Sequence, residues 1–420
     1  MAANPEKQLR FLMVDDDKAI AETHAALLEK AGHQVTVMTS PKEALDQMAT
    51  LAPDCIISDL MMPELDGLEF FQKVRKINLK QQPVFIVFTS KVFEFDRRRA
   101  FEMGVDGYLT KPAHPETFVS DLLEIINKEM IIQFWGVRGT LPVPGENSVI
   151  YGGNTNCVTL SLAKKHFFIF DAGTGIKKLS NHLLKQKAFP LSAKIFISHP
   201  HYDHINGIPF FVPLYMKGNE FEFLGAPAGE IKIEKIISDQ MDSIYFPITV
   251  KEFAAKISYR DLAEETFNID DIQIQTQLLN HPGKCLGYRI QYNNQIFCYI
   301  TDHELYMEDV PYYNQFDVDR LIHFIQGADV LVMDSTYTDS EYAQKIGWGH
   351  SSVNRVADIA DKAKVKLLCL YHHDPDQFDK DIKFKLEEAT EILESRQSKT
   401  RCIAPREGEK IILSAPKSTV

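Results

Sequence analysis

The feature that most constrains this chain is a strand rhythm that changes once. From Leu9 to about Glu129, the short apolar runs FLMV, QVTVM, CIISDL, VFIVFTS and GYLT are separated by amphipathic stretches. Five apolar strands with helices between them predict a doubly wound, parallel α/β sheet of flavodoxin-like type. Gly32 closes the first helix, and Ser40 followed by Pro41 opens the second. A helix is expected around Leu68–Ile77. From Met130 strands follow one another through turns with little helix between them at first (IIQFWGV, CVTLSLA, HFFIFDAG, AKIFISH, then IQIQTQLL, CLGYRIQY, QIFCYITD), and alternating helix and strand return with DVLVMDS, VNRVADIADKAKV and KLLCLYHH. That pattern predicts a second, α+β sandwich-like domain. The expected boundaries are 9–129 and 131–412. No Gly/Ser/Pro linker separates Glu129 from Ile131, which favours a fixed junction over a loose tether.

Composition narrows the classes. The chain has 420 residues, 45% of them hydrophobic and 25% charged, enough to bury a core in each half. Its formal net charge of -12 gives no global attraction to a nucleic-acid backbone. No helix-turn-helix pattern follows the first domain, so a DNA-binding output is not expected. The run Arg97-Arg98-Arg99 reads as a solvated helix face. Cys55, Cys157, Cys285, Cys298, Cys369 and Cys402 form no CxxC pair and read as small buried hydrophobes in a reducing compartment. The N-terminus has no apolar signal region, and no run is long and apolar enough to cross a bilayer. The expectation is a cytoplasmic protein without membrane contact.

In the first domain, polar residues stand at strand ends. Asp15 and Asp16 follow FLMV, Asp59 follows CIIS, Thr89 follows VFIVF, and Lys111 follows GYLT. A parallel sheet brings these ends to one edge. Clustered carboxylates there call for a hard divalent cation, and a lysine and a hydroxyl beside them suit a phosphoryl group. The pieces VDDD, SDLMMPELDG, FTS and GYLTKP resemble those of response-regulator receiver domains. The resemblance implies that Asp59 is the phosphoacceptor and that Asp15, Asp16, Asp59 and the Met61 carbonyl hold Mg²⁺. It also implies that Thr89 and Lys111 contact the phosphoryl group, that Tyr108 is the aromatic switch, and that a sensor histidine kinase or phosphotransfer protein is the partner.

In the second domain, IFISHPHYDHINGIPFF places His199, His201, Asp203 and His204 directly after an apolar strand. In an extended segment positions i and i+2 share a side, so His199 and His201 can grip one ion while Asp203 and His204 turn toward a second. Imidazoles with carboxylates suit zinc, with iron or manganese as alternatives. His281, Asp302 and His372 stand at later strand ends. Together these resemble the metallo-β-lactamase superfamily, with its αββα sandwich. The resemblance implies that His199, His201 and His281 hold one metal, that Asp203, His204 and His372 hold the other, and that Asp302 bridges them. The neighbours His303 and His373 compete with Asp302 and His372, and strand register favours His372.

GHSS followed by an amphipathic helix and the last metal strand looks like the phosphodiesterase branch that includes ribonuclease Z. By that likeness His350 protonates the leaving oxygen and Asp203 orients the attacking hydroxide. The segments FWGVRGTLPVPG and YGGNTNC suggest rim loops, with Arg138 and Asn154 as candidate substrate contacts or turn formers. The aromatic-rich segment 211–262 is expected to roof the site.

The reading is therefore a response regulator whose output is a di-metal hydrolase of a small phosphodiester, such as a cyclic nucleotide, controlled through Asp59. Phosphorylation could also act through assembly into a homodimer. A thioester or lactone hydrolase and a non-catalytic metal-binding output are the alternative classes.

Overall fold

The structure is a computed structural model and describes residues 8–414. The N-terminal residues 1–7, which entered the reading of a missing signal region, lie outside the described residues. The described chain falls into two compact units. The first runs to Glu129 and includes Leu162–His166, and the second holds the remainder.

In the first unit β1 (Arg10–Val14), β2 (Gln34–Met38), β3 (Cys55–Ser58), β4 (Val84–Thr89) and β5 (Gly107–Thr110) form a sheet in the order β2-β1-β3-β4-β5. Every pairing is parallel. This is the doubly wound order whose direction of winding reverses between β1 and β3, so a crevice opens at their carboxyl ends. Alternating strand residues feed two cores. Leu12, Val14, Ile56, Phe85 and Val87 belong to one, and Phe11, Met13, Ile57, Ile86 and Phe88 to the other. Both faces are buried because helices cover both, which is why these strands read as continuous apolar runs rather than alternating ones. The helix expected near Leu68–Ile77 spans Gly67–Lys76, opened by an Asp66/Glu69 capping box.

The second unit contains two seven-stranded sheets. The first has the order β11-β10-β9-β8-β7-β6-β19. It is built from β6 (Met130–Gly136), β7 (Cys157–Leu162), β8 (His166–Phe170), β9 (Ser192–Ile197), β10 (Glu220–Gly225), β11 (Lys256–Asp261) and β19 (Lys410–Leu413). The other runs β12-β13-β14-β15-β16-β17-β18. Its strands are β12 (Thr266–Ile269), β13 (Ile272–Leu279), β14 (Cys285–Tyr292), β15 (Gln295–Ile300), β16 (Val330–Asp334), β17 (Leu367–Tyr371) and β18 (Arg401–Ile403). The sheets meet through aromatic rings: Phe170 and Phe196 of one contact Tyr288 of the other, and Phe170 also contacts Phe297 and Tyr299. The opposite face of the first sheet is covered by helix Gly175–Gln186, whose Ile176, Leu179 and Leu183 share a core with Trp135 and Ile169.

Strand direction places the site. β13 and β14 are antiparallel, as are β14 and β15, whereas β15, β16 and β17 are mutually parallel. The carboxyl ends of β13, β15, β16 and β17 therefore share one edge. β8 and β9 are also parallel and end together in the other sheet.

The expectation of a roof over 211–262 needs correction. Its EFEFLG stretch is β10, paired in parallel with both β9 and β11. Phe221 and Phe223 are buried in the sheet's core, because strand alternation points both rings to one face. Tyr245, by contrast, is exposed. Among the described residues no helix is long and apolar enough to cross a membrane.

Candidate functional site

The edge of the first unit gathers Asp15, Asp16 and Asp59, with carboxylate oxygens within 4.8 Å of one another. Lys111 Nζ donates to Asp15 Oδ2 and to Asp59 Oδ2, each at 2.6 Å. Burial works against the Lys111 charge, but these two carboxylates outweigh it and raise its pKa. Asp15 is pushed up, chiefly by burial, although Lys111 pulls the other way. Three carboxylates beside one lysine leave an excess of negative charge that a hard divalent cation with oxygen ligands satisfies. Asp17, the third acid of VDDD, is instead a helix N-cap accepting from Ala19 N and Ile20 N. Thr89 is buried at the end of β4. Tyr108 is buried too, and its hydroxyl donates to the Lys91 carbonyl at 3.0 Å. The Met61 side chain is exposed, and its backbone N–H donates to Asp59 Oδ1 at 3.2 Å.

In the second unit three donor sets share Asp302; the set Asp302, Asp334, His350 and His372 lies beside two others. Of those two, His199, His201, His281 and Asp302 form one, and Asp203, His204, Asp302 and His372 form the other, with ligand atoms within 4.8 Å in each. Asp302 turns Oδ2 toward His199 Nε2 (3.5 Å) and His281 Nε2 (3.7 Å). Its Oδ1 faces His204 Nε2 and His372 Nε2, both at 3.1 Å. His201 Nδ1 lies 2.8 Å from His199 Nε2 and 3.3 Å from His281 Nε2. Neither His303 nor His373 joins these sets among the described residues. His303 Nδ1 accepts from Asn280 N, and His373 Nδ1 meets Lys385 Nζ.

The outer contacts set which nitrogen faces the cluster. His204 Nδ1 meets Asp171 Oδ2 at 2.7 Å, His372 Nδ1 lies 3.2 Å from Thr336 Oγ1, and His281 Nδ1 meets the Gly349 carbonyl at 3.0 Å. Each of these rings therefore presents Nε2 inward. Bare imidazole nitrogens turned toward carboxylates repel one another unless a cation lies between them, so the donor sets fit two divalent ions of zinc type. Burial opposes charge on His204, but Asp203, Asp302 and Asp171 raise its pKa well above the usual histidine range. Burial also opposes ionisation of Asp203, and the nearby His204 and His372 nevertheless hold it well below the carboxylate range. Asp203 Oδ2 accepts further from Thr140 N at 2.8 Å and Asn156 Nδ2 at 3.1 Å.

Asp302 and His372 both adopt left-handed backbone conformations, with φ of 48° and 60°. Such positions outside glycine cost on the order of 1–3 kcal/mol and persist where the surroundings over-determine them. Gly139 makes room for His372: a Cβ there would sit 2.1 Å from the ring.

His350 lies beside the cluster. Its ring stacks on His372 with centroids 4.8 Å apart and lies 5.4 Å from that of His281. Nδ1 donates to Asp334 Oδ2 at 2.8 Å. Burial disfavours its charged form, but Asp334, with Asp302 and Asp203 behind it, raises the pKa to about 9. His201 is the exposed histidine of the cluster and marks its open side.

Sequence reasoning gave no role to Asp171, Asp334 or Asn156. Asp171 and Asp334 carry the signal that revealed Asp302, an acid at the end of an apolar strand. Asn154, by contrast, bonds Glu407 through both its backbone and side-chain nitrogens. Arg138 is fully buried on the carbonyls of Gly152, Asp374 and Gln377. Asn154 serves loop structure through these bonds, and Arg138 does so through Nε and Nη1.

Residues 11–123 match the response regulator receiver domain family, and residues 166–373 match a beta-lactamase superfamily domain. Over 122 residues the chain is 34% identical to the alkaline phosphatase synthesis transcriptional regulatory protein PhoP of Bacillus subtilis, covering 29% of this chain and 50% of that one. It thus spans about half the length of that relative. It is 37% identical over 108 residues to an uncharacterised 14.6 kDa protein of Leptolyngbya boryana, covering 26% of this chain and 82% of that protein. The metallo-beta-lactamase fold protein YhfI of Bacillus subtilis is similar over 68% of this chain and 100% of its own, at 16% identity and a TM-score of 0.49. The chain carries a response regulator receiver domain followed by a domain of metallo-β-lactamase fold.

Proposed function

We propose that this response regulator carries a di-metal hydrolase output acting on a small phosphodiester, with Asp59 as the phosphoacceptor. A sensor histidine kinase or phosphotransfer protein would supply the phosphoryl group. The observation that carries the hydrolase reading is the pair of donor sets sharing Asp302, with His350 held beside them by Asp334.

Two divalent ions held by His199, His201, His281, Asp203, His204, Asp302 and His372 would supply Lewis acidity and a water of lowered pKa. The protein's own groups do the rest. Asp203, fixed by the Thr140 N–H and the Asn156 amide, orients the attacking water. Water adds to phosphorus and releases one proton to solvent, the bond to the leaving oxygen breaks, and His350 delivers a proton to that oxygen. Asp334 holds the Nδ1 side of His350, so the proton leaves from Nε2. An alkoxide leaving group needs such an acid, whereas a thiolate does not, and this favours a phosphodiester over a thioester.

In the receiver, the Asp59 carboxylate accepts the phosphoryl group. Lys111 Nζ, already within 2.6 Å of it, balances the added charge. Mg²⁺ would be held by Asp15, Asp16, Asp59 and the Met61 carbonyl. Thr89 and Tyr108 would carry the change to the surface of the domain.

The test is hydrolysis of bis(p-nitrophenyl) phosphate by zinc-loaded protein beside Asp203→Ala, with and without a beryllofluoride mimic on Asp59. Turnover that vanishes in Asp203→Ala is expected. No turnover in fully loaded wild type would sink the phosphodiesterase reading, and equal rates with and without the mimic would sink control by Asp59.

A further inference from the structure

Glu304 stands two residues beyond Asp302 and is only 2% exposed. Its Oε1 accepts from the Tyr342 hydroxyl at 2.9 Å and from Gly347 N at 2.7 Å, while Oε2 accepts from Gly349 N at 2.7 Å. All three donors are neutral. A carboxylate buried among neutral donors sacrifices much of its hydration, so its placement calls for a positional reason.

That reason is the loop it grips. Gly349 has φ +88°, and its carbonyl accepts from His281 Nδ1 at 3.0 Å. A Cβ at this position would lie 2.2 Å from that nitrogen, so peptide and imidazole are in direct contact. The contact keeps the Nδ1 proton on the Gly349 side and turns His281 Nε2 toward Asp302 and His201. The next residue is His350. Further bonds lace the same loops together: Glu304 N donates to the Asn280 carbonyl at 2.8 Å, Asn280 Nδ2 to the Glu304 carbonyl at 2.9 Å, and Leu305 N to Ser351 Oγ at 3.0 Å.

We propose that Glu304 is a positioning residue that sets His281 and His350 together through the backbone of residues 347–349. This rests on the reading of the cluster as a metal centre. The carboxylate is required because three donors converge on it. A glutamine of equal size offers one acceptor oxygen, and its NH₂ would confront an N–H or O–H.

The experiment is zinc binding by the full chain against a competing chelator, with thermal melts as a control on folding. Glu304→Gln is expected to leave one zinc at wild-type affinity and to weaken the other about 10- to 100-fold, as loss of an outer partner of a ligand does. Gly349→Ala, which strikes the same contact from the other side, should do the same, and the double variant should lose no more than the worse single one. At saturating zinc the kcat of Glu304→Gln should fall with KM unchanged, because His350 is displaced. Tyr342→Phe removes one donor remote from Gly349 and should shift affinity less. If Glu304→Gln melts, Gly349→Ala alone decides. Both zincs held at wild-type affinity in the folded variants, or additive losses in the double variant, would overturn the proposal. Binding needs no substrate. A wild type that takes two zincs yet cleaves no phosphodiester therefore overturns the proposed activity and leaves this inference standing, whereas a wild type that takes no zinc overturns both.

Discussion

The receiver gathers Asp15, Asp16 and Asp59 at the edge of one sheet, with Lys111 inserted between Asp15 and Asp59. The second unit gathers Asp203 and Asp302 with His199, His201, His204, His281 and His372 at strand ends of two sheets. Both clusters stand where parallel strands finish, because there backbone direction changes and side chains of separate strands converge. Their chemistry differs. Two of the receiver's acids already pair with the Lys111 ammonium, so a metal would add to a partly balanced, oxygen-only site and would exchange. Among the described residues, the ion pairs of Asp203 and Asp302 are with histidines alone. A cluster that is imidazole-rich and largely buried is organised for retention.

The sharpest way to break the comparison is Asp302→Ala, which takes an oxygen from both donor sets. Hydrolysis should fall by about 10³-fold or more, since several kcal/mol of transition-state stabilisation are lost. Zinc content should drop while labelling of Asp59 by a small-molecule phosphodonor stays intact. Labelling that fails in parallel would mean the two clusters are not separable.

On a phosphodiester with an alkoxide leaving group, His350→Ala should reduce kcat about 100-fold with both zincs retained, the usual scale for a lost general acid. A loss of zinc instead would make His350 a ligand.

Chelation probes the same contrast. Prolonged dialysis against a strong chelator should abolish hydrolysis until zinc is restored, whereas brief chelation followed by Mg²⁺ should restore Asp59 labelling immediately. If Mg²⁺ alone restores hydrolysis, the distinction between retained and exchanging ions fails.

A further contrast concerns Lys385. Its fully buried Nζ donates to the Ser335 and Thr336 carbonyls and to His373 Nδ1, and burial lowers its pKa from 10.5 to about 7. A depressed lysine favours the fold above its unfolded pKa, and that contribution is lost as pH falls through the folded value. Relative to Lys385→Met, wild type should gain stability between about pH 7 and 10.5, by at most about 5 kcal/mol. Parallel stability curves for the two proteins across this window would refute the assignment.

Much of this protein is legible in its sequence. Apolar runs ended by Asp15, Asp59, His199, Asp302 and His372 reveal strands of all three sheets and both clusters, because strand period and strand end are local properties of a chain. Asp171 and Asp334 end strands in the same way, yet a sequence cannot say whether such an acid faces an ion or braces the residue that does. Arg138 and Asn154 looked like rim groups and proved to be internal braces, since burial of a polar side chain depends on what other segments bring to it. Glu304 carried no sequence signal at all. Its partners lie 38 to 45 positions away, and only the parallel alignment of β15, β16 and β17 brings the 342–351 loop onto it. The sequence by itself determined which residue types reach the sheet edges. Tertiary structure alone decided which of them meet, because hydrogen-bond partners across loops are selected by strand direction and packing rather than by neighbours in the chain.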